Sequence, residues 1–263
     1  MARAGKAQYV ERMDLDDFEP PAPGFFDLHA DVLAALPPVR LAGGRVLGAD
    51  ARQSAALRRA AEYARSAQDL GYGPDDLPRA DLSEEEGTVS SLAASAGFLE
   101  VEEGFFATPR GVAWPDVPDA EAVETWAAGM YGALAGNVTD RLQTELLDEL
   151  LDQDPDDEDA LPNFNDAFHG LVPALLVTLL RAPGGMPLCE LRRAAAEHTG
   201  QLSWDTVATH QGDPLTPTLE PLVEYGVVVV EDDAVRLTPL GLHGTVFHIR
   251  NEGHTVGSSS AAG

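Results

Sequence analysis

The chain has 263 residues, 44% of them hydrophobic, and a formal net charge of −27, with 17 Lys plus Arg against 44 Asp plus Glu. That length accommodates two domains of ordinary size, and that apolar fraction excludes a wholly disordered chain. So negative a field opposes nucleic-acid backbones and anionic membrane surfaces, because phosphate binding needs clustered Lys and Arg. Cys189 is the only cysteine, which excludes an intramolecular disulfide and a tetrahedral all-cysteine zinc site. The N-terminus has no apolar run of the secretory type. The most apolar stretch, Gly170 to Leu180, is too short to span a bilayer, so a cytoplasmic protein with no membrane contact is expected.

In chain order, residues 1–24 read as a tail that ends in EPPAPG. FFDLHADVLAAL, residues 25–36, predicts a helix stopped by Pro37 and Pro38. Residues 49–70 predict a long one with Asp50 as N-cap and Gly71 as stop. Ser83 followed by Glu86 has capping-box spacing and starts a helix to about Ala96. A hairpin follows over Phe98–Thr108. Asp119 starts a helix to about Ala135, with Trp126, Met130 and Leu134 at four-residue spacing as its buried face. Residues 139–153 continue helically with a leucine stripe. DQDPDDEDALP, residues 152–162, is a solvated acidic linker.

Beyond the linker an apolar helix spans about 164–180 despite Pro173, and PLCELRRAAAEHTG predicts another that stops at Gly200. QLSWD reads as a connector. DPLTPTLEPLVEYG predicts a helix capped by Asp213, with Pro214 at its first position and Pro221 as a kink. A second hairpin and a last helix, about 240–250, precede a C-terminal tail over 251–263.

One pattern occurs twice. GFLEVEEGFFATPRG (97–111) and GVVVVEDDAVRLTPLG (226–241) each have a helix-ending glycine, a β-rich strand, an acidic turn, a returning strand and Thr-Pro-x-Gly. On these residues the chain resembles the winged-helix family, whose wing is such a hairpin. The resemblance covers roughly 25–111 and 163–250. It implies a mainly α fold (α+β with small β-hairpin wings): a first winged-helix-like domain over 25–118, a helical and acidic connector over 119–162, and a second domain over 163–250.

That family would imply DNA contact by the helix before each wing. Here those helices carry Glu84, Glu85 and Glu86 in the first copy and Asp213, Glu220 and Glu224 in the second, with no Lys or Arg. The wings add Glu100, Glu102, Glu103, Glu231, Asp232 and Asp233, opposed only by Arg236. Base readout and phosphate contact both lack their usual side chains, so direct DNA binding by this face is not expected. One helix is arginine-rich. Arg52, Arg58, Arg59 and Arg65 read either as a solvated face, with Arg58 paired to Glu62, or as a basic docking face.

Catalytic and metal motifs fail on inspection. Asp152, Asp154 and Asp156 fit a calcium loop, but Asp157 and Asn163 replace its glycine and its bidentate Glu. Asp27-Leu28-His29 has the Asp-x-His form of metallophosphoesterases without that family's other motifs. His243, His248 and His254 do not share a helical face, and Gly43–Gly48 lacks the Lys-Ser/Thr of a phosphate loop. Cys189 reads as a small buried hydrophobe.

No enzyme activity, cofactor or metal is expected. The expectation is a non-enzymatic adaptor or regulator that contacts a basic protein through acidic wings, or that mimics DNA toward a DNA-binding partner. The alternatives are a DNA-binding transcriptional regulator acting through the Arg52–Arg65 helix or as a homodimer, and an enzyme of unrecognised type.

Overall fold

The computed structural model describes residues 24–70, 84–101, 105–135, 168 and 170–260, with backbone alone at 68–70, 84–86, 101, 105, 131–135, 210–211 and 258–260. The fold is mainly helical with small β-hairpins, as the sequence predicts. The predicted helix at 139–153, the acidic linker 152–162 and nearly all of the N-terminal tail lie outside the described residues.

The first half begins with a 3-10 turn, Asp27–His29, then α1 (Ala30–Ala34) and β1 (Val39–Leu41). The predicted helix over 25–36 is thus divided. Helix α2 (Gly44–Gln53) contains most of the glycine run that resembled a phosphate loop. The expected single helix over 49–70 is broken at Ser54, and α3 spans Ala55–Leu70. Ser54 has a non-helical ψ of 116°, and its Oγ accepts the Leu57 amide, so one residue ends α2 and caps α3.

Helix α4 (Glu84–Ser95) leads into β2 (Leu99–Val101) and β3 (Phe105–Ala107), then the short α5 (Pro109–Ala113). Helix α6 (Asp119–Ala135) closes the first half.

The second half holds α7 (Leu171–Leu180), β4 (Met186–Pro187), α8 (Leu188–Thr199), α9 (Gln201–Gln211), α10 (Leu215–Tyr225), β5 (Val228–Glu231), β6 (Ala234–Leu237) and α11 (Pro239–Asn251). Pro173 is tolerated because it sits in the first turn of α7, where no intrahelical partner for its amide exists. QLSWD is not a connector. Gly200, at φ 82°, turns the chain between two helices, and Trp204 and Val207 are buried on α9. Cys189 is exposed rather than buried, on the outer side of α8.

The two copies of the repeated pattern are built alike, bond for bond. Gly97 and Gly226 adopt φ 69° and 82°, which favours glycine. Each ends its helix in a Schellman motif: Phe98 N–H to Ala93 and Gly97 N–H to Ala94 in one, Val227 N–H to Leu222 and Gly226 N–H to Val223 in the other. Thr108 donates its hydroxyl to the Gly97 carbonyl at 2.7 Å and accepts the Gly111 amide at 3.1 Å. Thr238 does the same with Gly226 at 2.6 Å and Gly241 at 2.9 Å.

The threonine hydroxyl therefore clamps the base of each hairpin and caps the next helix at once, with Pro109 or Pro239 in the first helical position. The second hairpin turns at Asp232 and Asp233, φ 50° and 59°, a type I′ geometry matched to strand twist. Strand β4 adds to its free edge, giving the order β4-β6-β5.

The described part of the expected connector, residues 119–135, is packed between the halves rather than linking them from outside. Helix α6 is buried on nearly every side, with Ala122, Val123, Trp126, Ala127 and Met130 all in the core. It packs on α2 and α4 from the first half and on α10 and α11 from the second, and a single core runs from Phe26 to Val256. Residues 251–260 are not a tail either. Strand β7 (Ser258–Ser260) pairs in parallel with β1, Val39 opposite Ser258, and Val256 is buried.

The close approach of α5 and α11 to their strands needs glycine. A Cβ on Gly111 would lie 2.7 Å from the Phe98 carbonyl oxygen, and one on Gly241 would penetrate the Val227 carbonyl. Backbone cannot swing aside as a side-chain tip can. Gly111→Ala is expected to cost about 1–3 kcal/mol and Gly241→Ala more, read as shifts in the urea midpoint. Equal, negligible shifts in both would contradict this packing.

Candidate protein-interaction surface

The helices that precede the two hairpins, α4 and α10, both lie against α6, and their meeting point is Gly129. A Cβ there would sit 2.5 Å from the Tyr225 hydroxyl, 3.1 Å from Leu92 and 3.3 Å from Ala96. Tyr225, on α10, donates to the Trp126 carbonyl at 2.8 Å, with its ring 5.0 Å from the indole. Burial pushes that phenol well above its ordinary range, so it stays a neutral donor. At the next residue, His248 of α11 reaches the Ala127 carbonyl at 2.6 Å. Only an N–H can serve a carbonyl, so Nε2 carries the proton. Burial lowers the His248 pKa, against smaller raising effects of that bond and of Glu252. Two polar side chains from the second half thus grip consecutive carbonyls of α6.

The arginines of the Arg52–Arg65 stretch, divided between α2 and α3, each have a partner within the chain. Arg52 bonds the Val117 carbonyl at 3.0 Å and Asp119 at 2.5 Å, which fixes the start of α6. Arg59 pairs with Glu224 of α10, and Arg65 takes the Gly111 carbonyl at 2.8 Å. Arg58 reaches back to the Gln53 carbonyl rather than forward to Glu62. Arg192 holds Asp213 through two bonds, 3.0 and 2.7 Å, and these hold the Asp213 carboxyl below the usual range. Asp213 also receives the Leu215 amide at 3.4 Å, so it supports the start of α10 as the sequence predicts, although Pro214 occupies the cap position itself.

The acidic residues named from the sequence divide into three groups. Glu224 is committed to Arg59 and Glu231 to Arg236, the latter at 3.1 Å. Glu100, Glu220, Asp232 and Asp233 are exposed. The side chains of Glu84, Glu85 and Glu86, and all of Glu102 and Glu103, lie outside the described residues.

Exposed apolar side chains lie among these carboxylates, a feature missed from sequence. Phe106, 52% exposed, stands opposite Glu100 across the first hairpin. Val230, 39% exposed, precedes Glu231 in the second. Val223, 43% exposed, is three residues from Glu220 on α10. The strand alternation that buries Leu99 turns Glu100 and its partner Phe106 outward, which is the signal that could have located Phe106; Val230 shares the face of Val228 and Val235 but is left uncovered near the hairpin turn.

The C-terminal histidines do not converge: His248 contacts α6, while His254 lies against Asp27. Of the Asp-x-His stretch, His29 stacks near His198 at 5.5 Å instead of joining Asp27. Among the described residues no helix is long and apolar enough to cross a membrane. No protein-family model, curated protein or solved structure matches the chain.

Burial decides which inter-half contact matters. Tyr225→Phe removes a buried hydrogen bond and is expected to cost about 1 kcal/mol. Glu224→Ala breaks an ion pair whose side chains are 47% and 62% exposed, and should cost a few tenths of that. Denaturant titration of the two variants orders them. A larger loss from Glu224→Ala would place the weight on the surface pair instead.

Proposed function

We propose that the chain is a non-enzymatic adaptor or regulator built from two winged-helix-like modules, which docks a basic protein through its acidic wings and the outer face of α10. The observation that carries this reading is the interleaving of open carboxylates with exposed apolar side chains: Glu100 with Phe106, Glu220 with Val223, and Asp232 and Asp233 with Val230. Carboxylates steer and align a cationic partner, and the apolar groups supply the desolvated contact that holds it. A DNA-binding protein is one partner such a surface suits, since carboxylates at intervals along a rigid face imitate phosphates.

DNA contact through Arg52, Arg58, Arg59 and Arg65 finds less support, because each of these guanidinium groups has a partner within the chain. Catalysis has no supporting observation.

The test is quantitative capture of proteins from extract of the source cells by wild type and by a Glu220→Arg/Val223→Asp/Asp232→Arg variant. Circular dichroism first confirms that the variant is folded. At least one basic protein is expected to be held by wild type in a salt-sensitive manner and about tenfold less by the variant, the effect of losing about 1.4 kcal/mol. Indistinguishable capture by the two would reduce the acidic surface to a solubilising role.

A further inference from the structure

We infer that Asp27, Glu252 and His254 form a binding site for a divalent metal ion of the zinc class, which fastens the N-terminal turn to the end of α11. One ligand atom from each of the three side chains lies within 4.8 Å of the others. His254 Nε2 and Asp27 Oδ1 are 2.9 Å apart. Ligand atoms on a zinc ion with bonds of about 2.0–2.2 Å stand roughly 3.0–3.5 Å apart, so Asp27 and His254 are already near that spacing, and side-chain rotation adjusts Glu252 from within 4.8 Å. One imidazole nitrogen with two carboxylate oxygens is a mixed donor set suited to zinc and its neighbours rather than to calcium or magnesium.

The backbone places these groups. Helix α11 ends in a third Schellman motif: His254 N–H bonds the Ile249 carbonyl and Gly253 N–H that of Arg250, with Gly253 at φ 86°. That reversal presents Glu252 and His254 on the same side as the turn that begins at Gly24. Each carboxylate has one oxygen fixed by a backbone amide, Glu252 Oε2 by Phe26 at 2.8 Å and Asp27 Oδ2 by Gly24 at 2.6 Å. These bonds do for the carboxylates what outer-shell partners do in metal centres: they set orientation, while the second oxygen of Asp27 faces His254.

The charge is unbalanced as well. Two carboxylates face one imidazole, so these three groups sum to a negative charge whether or not His254 is protonated. A divalent cation relieves that repulsion, replacing the proton between His254 and Asp27. Asp27 is 45% exposed and His254 17%, which leaves an entry path and room for water to complete the coordination. No residue of this set belongs to the acidic wing surface, so the two proposals stand or fall separately.

The experiment is calorimetric titration of the full chain, stripped with chelator, using Zn²⁺ as the probe, with thermal melts in parallel. The decisive variant is His254→Gln, whose amide still donates to Asp27 but is a poor zinc ligand. Glu252→Gln is the second variant and His198→Ala the control. Wild type and the control are expected to bind one ion per chain and melt higher with zinc. His254→Gln and Glu252→Gln should bind at least about tenfold more weakly and show no such rise. Absence of stoichiometric binding, or equal affinity in His254→Gln, would overturn the site and leave the cluster as a hydrogen-bonded staple between the chain ends.

Discussion

The structure depends on how closely four helices approach α6. Helices pack at about 8–10 Å according to the side chains at their contact, and here the contacts are glycines. A Cβ on Gly48 would lie 2.6 Å from Asp119, one on Gly129 2.5 Å from Tyr225, and one on Gly244 2.6 Å from Met130 and 2.8 Å from Trp126. Trp126 is wholly buried at the middle of this arrangement. Any side chain at these glycines separates α6 from a neighbour, and because α2 and α4 belong to the first half while α10 and α11 belong to the second, such a change is felt in both halves.

This arrangement has a consequence for charge. Helices α4 and α10, which precede the two hairpins, each direct a face to α6. The arginines that could have served phosphates instead tie elements together: Arg52 to the start of α6, Arg59 to α10, Arg65 to α5. These three arginines thus serve joints within the chain, while carboxylates such as Glu220, Asp232 and Asp233 are exposed. A surface of that sign repels nucleic acid and attracts basic protein, which is the physical content of the adaptor proposal.

Local chemistry was legible in the sequence and long-range chemistry was not. The hairpins and helix ends could be read because a left-handed glycine, a Thr-Pro cap and a β-branched run act within a dozen residues. The break at Ser54 and the helix over QLSWD were missed for a related reason: capping by a mid-pattern serine and burial of Trp204 depend on what packs against them. The role of α6 could not be read at all. Its run of alanine and glycine around Trp126 suits a helix crowded on all sides, but the partners, Tyr225 and His248, lie 99 and 121 residues away. The same distance hid the cluster of Asp27 with Glu252 and His254, whose members looked inert when taken separately. Of the acidic surface, the sign was evident from composition; which carboxylates are open and which are tied to Arg59 or Arg236 required the fold.

The most direct test of the central claim, that the surface charge of this chain opposes nucleic acid, is binding of the full chain to mixed-sequence duplex DNA, followed by fluorescence anisotropy at low and at near-physiological salt. The account predicts no binding at either. A salt-sensitive rise in anisotropy would contradict it, because such a signal arises when cations of the protein displace counterions from phosphate.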